Sequence, residues 1–259
     1  MIAKVFLLAL LVAVASSTPV SQDTSMVGYG EAVGMFLQAW KKIMPCGFPA
    51  ENIPVLAPYT LDFDWFQYLY EPTKVLGNVS DIRISGLDGF QIMSSSYNAS
   101  TMRRTFDVMY PEIQVVGSLA LDGTFSLGGL PLPVYHDFLL NLKLTDLRFV
   151  GEYTFAQSLS NPNGLHISDF DLKYYIGDVK ANNWDKYMDI AANKYLNDFI
   201  GSFSLLFSEE TQPAVKPLFA KYWLPTINDL LSNLDITQLT NFFVMQAEIW
   251  NNAGCTTQM

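Results

Sequence analysis

Apolar and polar positions along the chain change period twice. From Val27 to Met44, apolar side chains recur at three- and four-residue spacings through Val33, Phe36, Leu37, Trp40 and Met44. That spacing predicts an amphipathic helix. Gly28, Gly30 and Gly34 weaken its start, and Pro45 ends it. A proline-dense strap follows, MPCGFPAENIPVLAPY, Met44 to Tyr59. Proline fixes φ and removes a backbone donor, so this stretch is neither helix nor central strand.

From about Val75 to Val179 the period is two. Ile82 and Ile84 alternate with charged or small residues. Phe106 and Val108 alternate, Pro111 interrupts, and Ile113, Val115, Leu119 and Leu121 resume. Phe138, Leu140, Leu142 and Leu144 share one face. The pattern then slips by one residue, so that Leu147, Phe149, Tyr153 and Phe155 follow. Phe170, Leu172, Tyr174 and Ile176 form a further run. Alternation of this kind, punctuated by Gly, Pro and Asn, describes an antiparallel meander with one wet face. The slips predict bulges, which curve a sheet.

The last third returns to helical spacing. One helix is predicted over Asp185–Phe207, through Tyr187, Ile190, Leu196, Phe199, Ile200 and Phe203. A second pattern covers Thr211–Leu231 with a kink at Pro225. The tail from Asn233 reads as polar, with an apolar patch at Leu239–Met245. Helix, then strands, then helices gives an α+β fold in one domain. A strongly curved antiparallel sheet wrapped around a long helix would bury these faces.

The N-terminus carries a different signal. Lys4 precedes the 11 apolar residues Val5–Ala15, and Ala15-Ser16-Ser17 offers small residues for cleavage before Thr18. Residues 1–17 therefore read as a secretory signal peptide, too short to span a bilayer. Residues 18–259 are left as the mature domain, expected to be secreted, without stable membrane insertion. Its net charge is −10 − 1 = −11, since the signal contains only Lys4 as a charge. An acidic chain with no basic cluster repels phosphate backbones, which argues against nucleic acid. Charged residues make up only 15% and hydrophobic ones 50%. Both a large core and an apolar cavity are consistent with that excess.

Cys46 and Cys255 are the two cysteines. In an oxidising compartment such a pair predicts a disulfide, and structure rather than nucleophilic chemistry for Cys46. Asn78-Val79-Ser80 and Asn98-Ala99-Ser100 are N-glycosylation sequons, placing candidate glycans on Asn78 and Asn98. Catalytic signatures are missing. There is no G-x-S-x-G elbow, no phosphate loop, and no short His/Cys spacing for a metal. His136 and His166 read as ordinary surface or strand-edge residues, and Asp62 and Asp64 as a solvated strand face. No catalysis, cofactor or metal is expected.

Several short motifs occur in order. Ile53-Pro54-Val55-Leu56-Ala57-Pro58, Asp81-Ile82-Arg83-Ile84-Ser85-Gly86-Leu87-Asp88-Gly89-Phe90, and Pro111-Glu112-Ile113 with Gly117 and Gly123 come first. Leu130-Pro131, Gly177-Asp178-Val179-Lys180, Asn193 and Leu196-Asn197 follow. Together, from about residue 30 to 245, they resemble the insect takeout and haemolymph juvenile-hormone-binding family. Many members carry two closely spaced N-terminal cysteines, and this chain departs from that. The resemblance implies a fold related to tubular lipid-binding domains and an internal tunnel for a hydrophobic small molecule, such as a juvenile-hormone-like terpenoid or fatty-acid derivative. Candidate tunnel walls are the inward-facing Phe106, Val108, Ile113, Val115, Leu119, Phe138, Leu140, Leu142, Phe149, Tyr153, Leu172 and Tyr174. Phe199, Phe203, Tyr222 and Trp223 join them from the helices. The alternative is a secreted interaction or structural module with the same fold and a filled core.

Overall fold

A computed structural model describes residues 27–70, 73–127, 130–158, 161–253 and 255. The signal peptide reading lies outside them. The chain forms α1 (Tyr29–Ile43), β1 (Tyr59–Tyr70), β2 (Thr73–Ser85), β3 (Gln91–Asn98), β4 (Arg103–Leu127) and β5 (Leu130–Gln157). Then come β6 (Leu165–Tyr175), β7 (Asp178–Ala181), β8 (Trp184–Asp185), α2 (Ile190–Tyr222), α3 (Leu224–Leu231) and α4 (Ile236–Ala253). The fold is α+β. All eight strands join one antiparallel sheet, ordered β1-β2-β4-β5-β6, with β3 paired to β4 and β7 and β8 paired to β5. It begins at Tyr59, earlier than the alternation from Val75 indicates.

β4 and β5 stay in one register from Arg103↔Thr154 to Leu127↔Leu130. The slip in the apolar pattern is nevertheless real. Pro111 stands opposite Asp146, which has φ +52°. Each strand gains one residue at the same level, so both change faces together. Tyr110 and Ile113 are therefore both buried in the same core, and Leu144 and Leu147 both pack against it. A second crease pairs Asp62 with Asp81 (φ +51°), beside a bulge between β2 and β4. There Gly117, at φ +151°, lies so close to β2 that a Cβ would come within 2.6 Å of Ile82 Cδ1.

α1 and α4 pack together in the buried core against residues of β2, β4, β5, β6 and the strap. α1 turns Tyr29, Ala32, Val33, Phe36, Ala39, Trp40 and Ile43 inward. α4 supplies Leu239, Phe243, Val244, Ala247 and Trp250. The Trp250 ring centroid lies 4.8 Å from that of Phe36 and 5.2 Å from that of Trp40. The tail after Asn233 is thus an 18-residue helix. Its start was legible as a capping box: Gln238 N donates to Asp235 Oδ1, and Asp235 N donates to Gln238 Oε1.

The strap fastens these helices. Leu56 and Ala57 donate backbone N–H groups to Met44 O, and Ala57-Pro58 is cis. Glu51 accepts hydrogen bonds from Gln246 Nε2 and Trp250 Nε1 of α4. A disulfide joins Cys46 to Cys255.

α2 departs from the predicted helices. Asp185 is in β8 rather than helical, and the N-cap is Asp189, whose side chain accepts Ala192 N. The helix then runs 33 residues, through Pro213 and Pro217. The break falls at Trp223, and Pro225 lies in the first turn of α3, where no donor is needed, instead of making a kink.

Helices α2 and α3 close the free edge formed by β6, β7 and β8 in a repeated way. Four side-chain carboxamides each accept from the backbone N–H and donate to the C=O of a single residue. Asn193 does so with Asp185 (2.7 and 3.0 Å) and Asn197 with Asn183 (2.9 and 2.8 Å). Gln212 does so with Tyr174, and Asn228 with Ile167 (2.8 and 3.4 Å). Each amide stands in for the peptide unit of a missing neighbour strand.

Asn193→Asp keeps the shape but cannot donate, and it adds a buried charge. It is expected to lower unfolding stability by about 3 kcal/mol, read as the urea midpoint. The disulfide closes a loop of 209-residue separation. Replacing both cysteines by serine is expected to cost up to about 5 kcal/mol in the chain-entropy model, again read by urea unfolding.

Candidate functional site

The sheet presents two faces, and only one meets the helices. Register places the strand candidates together on that helix side. Val108, Phe149 and Tyr174 form one row. Phe106 and Leu172 flank Gly151 in the next, and Val115 pairs with Leu142 and Leu119 with Phe138. Ile113 and Phe138 are buried. Phe106, Val108, Val115, Leu119, Leu140, Leu142, Phe149, Tyr153, Leu172 and Tyr174 are half-buried. The Phe106 ring covers Gly151, filling the space its missing side chain leaves.

The helix candidates behave differently. α2 docks through Asn193, Asn197, Thr211, Gln212 and Phe219. The Phe219 ring stacks on Phe170 at 4.0 Å, and Thr211 Oγ1 meets Tyr174 Oη at 2.5 Å. Helical spacing puts Tyr195, Phe199, Phe203 and Leu206 on the opposite side. They are 76, 52, 49 and 62% exposed. Phe199 and Phe203 stack on each other at 5.4 Å. Both were expected to point inward, and they do not. The docking face is polar because the sheet edge demands amides, which leaves the apolar residues on the outside. Tyr222 is 59% exposed and Trp223 half-buried.

Polar groups punctuate the helix-side face at two places. Arg104 shares the inward parity of Phe106 and Val108 and is buried. Its guanidinium lies 5.6 Å from the Tyr29 ring, and Nη2 donates to Ser95 Oγ at 2.9 Å. Nη1 is buried without a hydrogen-bond partner. Beside it the Tyr29 and Tyr153 hydroxyls meet at 2.8 Å. Burial, and then the neighbouring Tyr153, hold Tyr29 well above its usual range; burial likewise raises Tyr153, and also Tyr110. The alternation could have placed Arg104 inside, since RRTFDV puts it two residues before Phe106.

The second place corrects the reading of His136 as an ordinary surface residue. His136 Nδ1 lies 2.5 Å from Oδ2 of Asp185, which is fully buried, and Tyr187 N donates to Oδ1 of the same carboxylate. The imidazole stacks on Phe138 at 5.0 Å. Nothing in the local sequence signalled the pair, because its members are 49 residues apart. Asp62 is exposed, and Asp64 Oδ1 accepts the N–H of Trp65. Among the described residues, no group of three or more His, Cys, Asp or Glu is placed to hold a metal, and no helix is long and apolar enough to cross a membrane.

The face away from the helices carries a separate pocket of about 310 Å³. Phe63, Trp65 and Leu76 line it from β1 and β2, and Tyr135 and Tyr187 from the far side. Asn78, one of the sequons, lines it too. Asn98 instead sits exposed at the end of β3, its Oδ1 accepting from Ser100 N and Thr101 N. Sequence periodicity missed this aromatic group because it lies on the wet face.

Comparison with known proteins places this architecture. The sequence profile of the haemolymph juvenile hormone binding protein family matches residues 5–241. The chain belongs to that family. Among solved structures, it is similar to Takeout 1 of Epiphyas postvittana, with 16% identity and a TM-score of 0.49, over 79% of this chain and 92% of that one. It is also similar to a lipopolysaccharide binding protein, with 11% identity and a TM-score of 0.33, over 75% of this chain and 38% of that one. No curated protein matches the sequence.

The buried tyrosines fix the sign of an alkaline effect. Their folded ionisation lies above the unfolded value of about 10, so the contribution is intact below pH ~10 and is lost as pH rises beyond it. Stability is expected to fall above about pH 10. In a 295 nm absorbance titration, Tyr29, Tyr110 and Tyr153 will ionise only with unfolding, and Tyr→Phe variants will remove that cooperative step.

Proposed function

We propose that this chain is an exported carrier that binds a hydrophobic small molecule against the helix-side face of its sheet. The ligand classes that suit it are a juvenile-hormone-like terpenoid, a fatty-acid derivative or another long apolar lipid. One observation carries the reading. Two sets of apolar side chains are left without full cover: Phe106, Leu119 and Leu142, half-buried and outside the main core, and the stripe along α2. Soluble chains seldom leave contiguous apolar surface uncovered without a ligand or partner. Membership of a family named for binding a hormone supports the same reading.

Recognition then rests on burial of apolar area, at about 25 cal/mol per Å². Arg104 and the Tyr29–Tyr153 hydroxyls offer polar orientation at one end of the row. The binding role uses no nucleophile and no cofactor. Export is supported by the disulfide and by the apolar N-terminal segment.

Native mass spectrometry of the secreted protein, with organic extraction of what co-purifies, tests the proposal directly. A bound lipid and displacement of a fluorescent apolar probe are expected. Leu119→Asp, placing a charge in the apolar row, is expected to weaken probe binding at least tenfold, about 1.4 kcal/mol. Tyr195→Ser, which removes an exposed ring of the α2 stripe, reads whether that stripe contributes. Absence of any lipid together with no probe displacement would refute carriage and favour a protein-docking role for α2.

A further inference from the structure

The pocket on the outer face poses a problem that the carrier reading does not solve. Phe63, Trp65 and Tyr135 are 60, 65 and 63% exposed there. Register explains the shape of the pocket. Trp65, Asn78, Ala120 and Asp137 form one cross-strand row, and Phe63, Ser80, Ser118 and Leu139 the next. The small residues Gly77 and Ala120 keep the pocket's floor low. Trp65 rises on one side of it and Tyr135 on the other, the latter with its ring 5.2 Å from that of Tyr187.

Asn78 stands in this floor, half-buried, as the direct cross-strand partner of Trp65. Directly paired residues hold their Cβ atoms about 5 Å apart. Asn78 is also the acceptor position of a sequon whose serine, Ser80, lies on the same face. A chemical handle for a sugar therefore sits in the middle of an exposed aromatic patch.

We propose that the pocket is the seat of the N-linked glycan on Asn78. The first N-acetylglucosamine lies on the low floor with its apolar ring face against Trp65, and Tyr135 borders it opposite. Pyranose rings suit such a site. Their axial C–H groups pack on the negative face of an aromatic ring, while their hydroxyl and acetamido groups reach polar neighbours such as Asp122 and Asp137. The glycan covers exposed apolar area and ties β1 to β5 across the sheet. Asn98, exposed at the end of β3, would carry a solvated glycan. This inference rests on the export reading, because attachment occurs only in the secretory pathway.

The test uses the full chain expressed in insect cells, purified from the medium, with glycan occupancy mapped by peptide mass spectrometry. Asn78 is expected to be modified. Trimming its glycan to the single core N-acetylglucosamine should leave Tm unchanged, whereas Asn78→Gln should lower Tm by about 2–4 °C. Trp65→Ala should lower Tm in the glycosylated protein but not in the Asn78→Gln background, which separates sugar stacking from a structural role for the tryptophan. Asn98→Gln should leave Tm unchanged. An unmodified Asn78 in secreted chain, or equal effects of Trp65→Ala in both backgrounds, would overturn the inference alone. Failure of the chain to reach the medium would overturn the export reading and this inference with it.

Discussion

The interaction on which the architecture depends is the twofold hydrogen bond between a side-chain amide and a strand edge. β6, β7 and β8 end the sheet, and an open edge is a row of unpaired donors and acceptors. A carboxamide is the one uncharged side-chain group that offers an acceptor and a donor in the plane and spacing of a peptide unit. Asn193, Asn197, Gln212 and Asn228 use it four times, on Asp185, Asn183, Tyr174 and Ile167. With about 1 kcal/mol net per bond and a larger penalty for losing one partner, the four sites fix α2 and α3 along the edge.

That constraint has a consequence for α2. A helix that docks with amides and small hydroxyls cannot bury its large apolar residues on the same side. Tyr195, Phe199, Phe203 and Leu206 therefore emerge on the far side, and among the described α2 side chains Phe219 alone packs against the main buried cluster. A helix with this division can change what lies against its apolar stripe while its anchorage to the sheet stays intact. The same logic applies to the sheet. The coupled irregularities at Pro111/Asp146 and Asp62/Asp81 let strands of 25 and 28 residues bend and still keep one face apolar throughout, so the helix-side wall is continuous from Arg104 to Leu121.

Much of this was legible in the sequence, and the failures have physical causes. Period-two alternation found most of the strands, because side-chain direction in a sheet follows from position alone. The slip after Leu144 was visible, but its partner on β4 was disguised as an interruption by Pro111. The paired nature of the crease needs both strands in register. α4 was missed as a helix because its Asn and Thr content reads as polar, although Asp235 and Gln238 marked its start. Phe199 and Phe203 were assigned inward on the assumption that a helix buries its apolar face. The competing demand of the sheet edge for amides won instead. His136 and Asp185 meet only through the pairing of β5 with β8, a contact that no local pattern encodes.

Stability and exposed apolar surface are consequently kept apart in the molecule. The α1–α4 core, with Trp250 wedged between Phe36 and Trp40, is closed by the strap, by Glu51 and by the Cys46–Cys255 bond. The proline-dense segment Met44–Tyr59 is therefore a clamp: its rigidity delivers Glu51 to α4 and hands the chain to β1 at a fixed point. The α2 stripe lies outside that clamp, on a helix held to the sheet edge mainly by side-chain amides. The apolar surface exposed along α2 is therefore not the surface whose burial holds the fold together.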